Sequence, residues 1–350
     1  MTGALESRTV QLHLNRTCNL ACRHCYSRSG PTEREQLSPE LACAFLRDAR
    51  AEGYEVAALS GGEPFLYSHL ARVLDEARAL DMRCVAVTNG TLLAGTRAAA
   101  LSRLDFVAIS IDGPAPVHNA IRGSKTAFSR MLAGLDVIRS SGVRFGIVHA
   151  VTRESLAHLP WMAEFARSAG AEVLQLHPLG LVGAAQTNAL PPLDGEILAR
   201  TYLAALALRA GCEGLLRIHV DLFNRERLRA APAAVVPPPA MEGARLADIV
   251  NPLVLMSNGD VSPICHAMGP RFRIGNIGAA PLARLLPAFR ETGLARLHAF
   301  CSALLDRVLG EADPWPYLNW YELLEQASHW PELVSTGEAA RGSAIPAASG

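Results

Sequence analysis

Short apolar runs alternate with longer amphipathic runs between residue 9 and about residue 220. The apolar runs are rich in β-branched residues, and this alternation is typical of βα units around a parallel sheet. Six such repeats suit a partial (β/α)6 barrel, although an open doubly wound sheet has the same alternation. The expected strands are 10–14, 56–60, 84–88, 106–111, 144–151 and 173–176, and the expected helices cover about 39–52, 67–80, 95–103, 125–141, 155–169 and 194–210.

The last third of the chain has a different organisation. A proline-rich stretch at 231–240 predicts a semi-rigid linker, because proline disfavours both helix interiors and central strands. Beyond it, two short apolar runs flank Asn258 and Gly259, a pair that indicates a hairpin. Helices are expected at about 281–290, 293–309 and 317–328. The predicted organisation is a core at 1–230, the linker at 231–240, a small α+β extension at 241–335 and a disordered tail at 336–350.

The balance of charges argues against nucleic acid as a partner. Lysine plus arginine and aspartate plus glutamate each total 33, so the net charge is zero, and no long run has one sign. Nucleic-acid binding by bulk electrostatics is therefore not expected. The N-terminus does not have the pattern of an export signal, and no window of 18 uninterrupted apolar residues is present. The sequence predicts a cytoplasmic protein without a membrane partner.

Three of the eight cysteines, Cys18, Cys22 and Cys25, lie within eight residues directly after the first expected strand. Thiolates at this spacing can each bond a different iron of one cubane cluster, and one iron then has no protein ligand. A zinc site completed by His24 is the alternative, but a closed zinc site usually has a second Cys or His pair. The other five cysteines are scattered among apolar residues, and we expect them to be inert.

The triplet, followed by the aromatic Tyr26, resembles the signature of the radical S-adenosylmethionine (SAM) superfamily. The resemblance implies a partial (β/α)6 barrel and one 4Fe-4S cluster whose open iron binds the amino and carboxylate groups of SAM. It also implies reductive cleavage of SAM to methionine and a 5'-deoxyadenosyl radical, which takes a hydrogen atom from the substrate. An electron donor such as flavodoxin or ferredoxin is the implied protein partner.

Further motifs match the family in their order along the chain. Gly61 to Pro64 follow the second strand and match the GGEP motif, which contacts the SAM amino group in the family. Glycines allow close approach of the backbone, and Glu63 adds a carboxylate. Motifs after the third and fourth strands match family positions beside SAM. The cofactor-binding candidates from these motifs are Tyr26, Gly61, Gly62, Glu63, Pro64, Thr88, Asn89, Ser110 and Asp112.

Two more candidates follow. Arg122 resembles the family arginine that binds the SAM carboxylate, a task that suits a guanidinium, and a surface ion pair is the alternative. His177 follows the sixth strand, where family strand ends line the adenine or the substrate, and a structural hydrogen bond is the alternative. All these candidates fall at the carboxyl ends of expected parallel strands, where α/β active sites are built.

Residues 257–265 and 273–277 resemble the start of a SPASM or twitch extension, which holds auxiliary clusters in that family. A full extension of that kind needs about seven cysteines, and this chain has three after residue 200. An isoleucine also separates the proline of the motif from Cys265. We therefore expect no auxiliary cluster and an extension that caps the barrel. The alternative is one further cluster held by Cys212, Cys265 and Cys301, with His266 or His298.

Residues 9–180 look most like the branch that contains peptide-modifying SPASM maturases, the pyrroloquinoline quinone precursor maturase and haem-biosynthesis enzymes. The resemblance implies radical modification of a ribosomally made peptide, with a tetrapyrrole or another small biosynthetic intermediate as the second hypothesis. Methyl transfer is disfavoured because no cobalamin-type domain is found. A non-catalytic iron-sulfur scaffold is the alternative from another class, and the GGEP segment, Asp112 and Arg122 argue against it.

Overall fold

The computed structural model describes residues 7–334 except 94, 241–242, 267 and 312, and the tail expected at 336–350 lies outside the described residues. Each of the six expected strands is present, with ends within about two residues of the expected ones. The strands are Thr9–His13 (β1), Val56–Ser60 (β2), Arg83–Thr88 (β3), Phe106–Ser110 (β4), Phe145–Val151 (β5), Val173–Pro178 (β6), Arg217–Val220 (β7), Phe223–Asn224 (β8), Leu253–Leu255 (β9), Asp260–Pro263 (β10), Gly275–Asn276 (β11) and Tyr317–Leu318 (β12).

Strands β1 to β7 lie in chain order in one sheet, and each pairs in parallel with the next. A doubly wound sheet reverses its strand order at a switch point, whereas a barrel adds every strand to the same edge. The sequence allowed either a barrel or a doubly wound sheet, and the strand order from β1 to β7, which never reverses, is that of the barrel. The sheet is not closed, because β7 and β11 are its two ends. The expected α/β class with a mostly parallel sheet is confirmed.

The helices of the first two thirds of the chain connect these strands. The α-helices of the described residues are Pro39–Ala51 (α1), Leu70–Ala79 (α2), Ala115–Arg122 (α3), Ala127–Ser141 (α4), Leu159–Ala169 (α5), Ala184–Thr187 (α6), Gly195–Gly211 (α7), Arg225–Ala230 (α8), Leu282–Ala288 (α9), Leu294–Gly310 (α10), Trp320–Ala327 (α11) and Pro331–Val334 (α12). Local signals set several helix ends: the Ser38 side chain accepts from the Leu41 amide at the start of α1, and Gly142 and Gly170 end α4 and α5 with positive φ. The segment expected to be helical at 95–103 is a 3-10 helix.

The C-terminal extension continues the barrel sheet. Strand β9 pairs in parallel with β1, and β10 and β11 follow as antiparallel neighbours. The Tyr54 hydroxyl donates to the Val250 carbonyl at 2.7 Å, and Arg290 pairs with Glu52 at 2.6 Å. Buried residues of both parts belong to one hydrophobic cluster. The extension therefore shares its core with the barrel.

The proline-rich stretch packs on the extension. Val235 and Pro237 are buried, and the Pro237 carbonyl is 2.9 Å from Nδ1 of His298 in α10. Within the described residues, no helix combines the length and the apolar character that crossing a bilayer requires.

Candidate functional site

The cysteine triplet lies in the loop between β1 and α1, which folds back on itself. The Cys18 amide donates to the Gly30 carbonyl at 3.1 Å, and the Gly30 amide donates to the Arg16 carbonyl at 3.1 Å. Isolated bridges join residue 17 to residue 30 and residue 15 to residue 36. These backbone contacts give the loop, here called the cluster loop (residues 14–38), a defined shape. Its three cysteines are free and half-buried.

Each thiol of the triplet accepts an N–H contact from a different part of the chain. Sulfur atoms that ligate a cluster accept hydrogen bonds of this kind, and such bonds help to set the cluster potential. The contacts run from Asn89 Nδ2 to Cys18 Sγ at 3.8 Å, from Arg122 Nη1 to Cys22 Sγ at 3.8 Å and from the Ser29 amide to Cys25 Sγ at 3.3 Å.

The donor set fits an iron-sulfur cluster. Burial raises the pKa of the Cys18 thiol to about 12 and also raises the pKa of the Cys22 thiol, so both are neutral until a metal displaces their protons. Three soft sulfurs suit iron-sulfur chemistry. No three His, Cys, Asp or Glu side chains in the described parts of the chain are arranged around one metal-ion position. A cubane cluster imposes a different requirement, because each cysteine binds its own iron.

The Gly61–Gly62 turn packs against the backbone of the cluster loop. Gly61 has φ +101°, and a Cβ on Gly62 would lie 2.3 Å from the Thr17 carbonyl oxygen. The Gly62 amide donates to the Asn15 carbonyl at 2.8 Å, and the Glu63 amide donates to the Thr17 carbonyl at 2.9 Å. Gly62 is therefore required here for the approach of two loops. Pro64, the last residue of the motif, begins a short 3-10 helix.

Glu63 bridges the ends of β2 and β3. Its buried carboxylate accepts from the Thr88 hydroxyl at 2.7 Å, from the Asn89 amide at 2.9 Å and from the Phe65 amide at 3.2 Å. Desolvation raises the pKa of Glu63, although these donors oppose the shift. The GGEP motif by itself does not predict this bridge. The bridge sets the position of Asn89, whose side chain reaches Cys18.

Arg122 and Asp112 form a buried ion pair beside Cys22. Arg122 Nε donates to Asp112 Oδ2 at 2.6 Å, and His24 Nε2 is 3.6 Å from the same oxygen. Desolvation by itself would raise the pKa of Asp112, but the Arg122 guanidinium and the contact with His24 outweigh it and hold that pKa well below the usual range. Ser110 ends β4 two residues before Asp112.

Tyr26 and His177 stand apart from these contacts. The Tyr26 hydroxyl is 2.9 Å from the Ser60 hydroxyl, and the residue is 39% exposed. His177 Nδ1 contacts the carboxylate of Asp221, a residue that none of the sequence motifs includes. Asp221 directly follows β7, so the rule that strand ends carry functional residues could have identified it.

The extension reaches the cluster loop through the segment after β6. Glu322 in α11 accepts from the Leu181 amide at 2.9 Å, and the Ala184 amide donates to the Cys25 carbonyl at 2.8 Å. A cavity of about 860 Å³ lies between this segment, the cluster loop and the extension, and its lining includes Tyr26 and Gly61.

These features define a class of protein: an α/β barrel-type sheet with a thiol triplet after its first strand and polar groups at the following strand ends. Residues 12–166 match the sequence model of the Radical SAM superfamily, and the chain contains a radical SAM domain.

Curated proteins of related sequence agree with this assignment, and solved structures share the fold. An AdoMet-dependent heme synthase of Oleidesulfovibrio alaskensis is 31% identical over 192 residues, which is 53% of this chain and 50% of the relative. A PqqA peptide cyclase of Gluconobacter oxydans is 33% identical over 178 residues, 49% of each chain. The chain thus spans about half the length of these relatives. Streptococcus suis SuiB bound to S-adenosylmethionine matches 84% of this chain and 68% of its own, with a TM-score of 0.65 and 16% identity, and shares the fold.

Proposed function

We propose that this protein is a radical SAM enzyme that modifies a ribosomally made peptide. Cys18, Cys22 and Cys25 hold one 4Fe-4S cluster, and SAM binds beside it. When bound, the cluster and SAM supply reductive cleavage of SAM to methionine and a 5'-deoxyadenosyl radical, which removes a hydrogen atom from the substrate. A flavodoxin or ferredoxin is the proposed electron donor.

The observation that supports this proposal most directly is the arrangement around the triplet. Three free thiols, each with one N–H donor, lie in the loop after the first parallel strand of a radical SAM domain. A scaffold that only carries a cluster has no need for the strand-end motifs that resemble SAM contacts.

The chain's own residues prepare this site. Glu63 holds the ends of β2 and β3 together, and Asn89 is thereby directed at Cys18. The loop after β6 and the extension flank the cluster loop, so they are placed to limit water around a radical. The cofactor-binding roles of Tyr26, Ser110 and His177 are part of this proposal.

The substrate is proposed from the relatives and from the cavity. A PqqA peptide cyclase is among the relatives, and the cavity of about 860 Å³ opens between the cluster loop and the extension, where a peptide segment has room. Haem synthases are also among the relatives, so a tetrapyrrole is the second candidate. The reading frames next to the gene indicate which substrate to test. A frame for a short precursor peptide would favour the first candidate, and haem-pathway genes would favour the second.

The test is anaerobic reconstitution followed by dithionite reduction in the presence of SAM. We expect about four irons and four sulfides per chain and formation of 5'-deoxyadenosine, detected by mass spectrometry. Cys22→Ala should abolish both, whereas the buried Cys84→Ala is the matched control. A protein that holds the cluster but forms no 5'-deoxyadenosine would support the scaffold alternative and contradict this proposal.

A further inference from the structure

The guanidinium of Arg122 is buried between Asp112 and Cys22. Nε donates to Asp112 Oδ2 at 2.6 Å, and Nη1 lies 3.8 Å from Cys22 Sγ. The Arg122 side chain is 10% exposed and that of Asp112 is 3% exposed. A guanidinium can make both contacts because its N–H groups point in different directions along one rigid plane.

Backbone contacts hold the end of α3 against the cluster loop. The Arg23 amide donates to the Ile121 carbonyl at 2.8 Å. Gly123 ends α3 at φ +66°, and a Cβ there would lie 2.8 Å from the Ala21 carbonyl oxygen. The residues on both sides of Arg122 therefore contact the residues on both sides of Cys22. The distance between the guanidinium and the sulfur follows from this packing.

Asp112 is itself held in place. The Ala150 amide is 3.4 Å from Asp112 Oδ1, and the Asp112 amide donates to His118 Nδ1 at 3.2 Å. With Oδ1 directed at β5, Oδ2 is left for Arg122. The carboxylate thus fixes one side of the guanidinium, and the other side faces the sulfur.

In this ion pair the guanidinium, and not the carboxylate, contacts the cluster sulfur, so its positive charge affects the electron equilibrium of the cluster more than the negative charge of Asp112 does. The reduced cluster carries one more negative charge than the oxidised cluster, so a nearby cation stabilises the reduced form. Counterions screen a buried charge only weakly. The family resemblance implies instead that Arg122 binds the SAM carboxylate. The two roles can be separated, because an effect on the cluster exists without SAM.

We propose that Arg122, positioned by Asp112, donates to the Cys22 thiolate of the bound cluster and raises the reduction potential of the cluster. This inference rests on the proposed function, since it requires the triplet to hold a 4Fe-4S cluster. In this role Arg122 acts on the electron-accepting step before any substrate is bound.

The first test is the midpoint potential of the reconstituted protein in the absence of SAM, measured by titration monitored with electron paramagnetic resonance. In Arg122→Gln we expect the equilibrium constant for one-electron reduction to fall by at least about tenfold, equivalent to about 59 mV toward more negative potential. Arg122→Lys retains the charge but not the fork of donors, so its potential should lie between those of wild type and Arg122→Gln.

Arg23→Gln is the matched control, because Arg23 lies next to Cys22 but is exposed. The same loss of charge in solvent should change the equilibrium constant by less than about twofold. A shift in Arg122→Gln no larger than the shift in Arg23→Gln would overturn the inference.

A second measurement uses the unaltered chain and tests the contact between the Arg122 guanidinium and the cluster directly. It remains available if Arg122→Gln does not assemble a cluster. Wild-type protein labelled with 15N at the arginine guanidinium groups is reduced without SAM and studied by pulsed electron paramagnetic resonance. We expect a 15N coupling that persists in Arg23→Gln and is absent in Arg122→Lys. A cluster without this coupling refutes the inference alone, whereas a wild-type protein without a cluster signal refutes the proposed function and the inference together.

Discussion

Replacing Gly62 by alanine places a methyl group 2.3 Å from the carbonyl oxygen of Thr17, the residue before Cys18. The nearest atoms belong to the backbone, so no side chain can rotate away from the new methyl group. The two segments are also joined by the hydrogen bond from the Glu63 amide to the same Thr17 carbonyl, 2.9 Å long. Relief therefore requires the cluster loop and the GGEP turn to move apart.

The size of that movement follows from the contact. The distance must increase from 2.3 Å to at least 3.0 Å, a shift of about 0.7 Å in backbone that adjoins Cys18. Inserting a methyl group into a packed region typically costs about 1–3 kcal/mol. We expect Gly62→Ala to lose about this much unfolding free energy and to take up less iron than wild type, because the position of Cys18 depends on this contact.

Urea unfolding followed by circular dichroism gives the stability, and iron and sulfide analysis after reconstitution gives the cluster content. Gly30→Ala is the matched control: Gly30 lies in the same loop, and a Cβ added to it would meet no atom within 4 Å. It should retain wild-type stability and iron. If Gly62→Ala unfolds at the wild-type urea concentration and binds wild-type iron, the two segments do not pack as described and the reasoning is wrong.

Three further changes test separate contacts. Cys84→Ala should leave iron per chain at the wild-type value, since this buried thiol lies apart from the triplet, and a loss of iron would make it a ligand. Glu322→Ala should lower the unfolding free energy by about 1 kcal/mol, because the Leu181 amide loses its hydrogen-bond acceptor. Glu322→Gln keeps an acceptor oxygen and should retain most of that free energy. Equal stability of the two variants would contradict the role of this hydrogen bond. The His177 side chain is largely exposed, and although partial desolvation lowers its pKa, the neighbouring Asp221 carboxylate outweighs this effect and raises the pKa above 6.5. The ion pair therefore stabilises the fold at low pH, and this contribution is lost as the pH rises through the raised pKa of His177. In Asp221→Asn, titration followed by nuclear magnetic resonance should give a lower His177 pKa. An unchanged pKa would contradict the pairing.

Much of the fold could be predicted because its signals are local. The β-branched runs and their spacing predicted six strands of the parallel sheet, and Asn258 with Gly259 predicted the turn between β9 and β10. The order of the strands could not be obtained this way, because a doubly wound sheet and a barrel share the same alternation. Pairing between β1 and β9 joins segments more than 240 residues apart, and no local pattern encodes it.

Some features of the candidate site could likewise be predicted from the sequence, and others could not. The spacing of the triplet and its place after β1 were visible in the chain, since three cysteines within one loop must lie near one another. The contact of Arg122 with Cys22 joins residues 100 positions apart, and the pairing of His177 with Asp221 depends on β6 and β7 being neighbours. Such partners become visible only when the sheet brings strand ends together.

The sequence by itself determined which segments form strands and helices, where the thiols lie along the chain and which strand ends carry polar groups, because periodicity, turn chemistry and motif spacing act over a few residues. Only the tertiary structure decided which polar group meets which thiol, that Glu63 joins β2 to β3, and that the extension adds its strands to the β1 edge. These choices depend on the burial of one shared core, a property of the whole chain that no single segment contains.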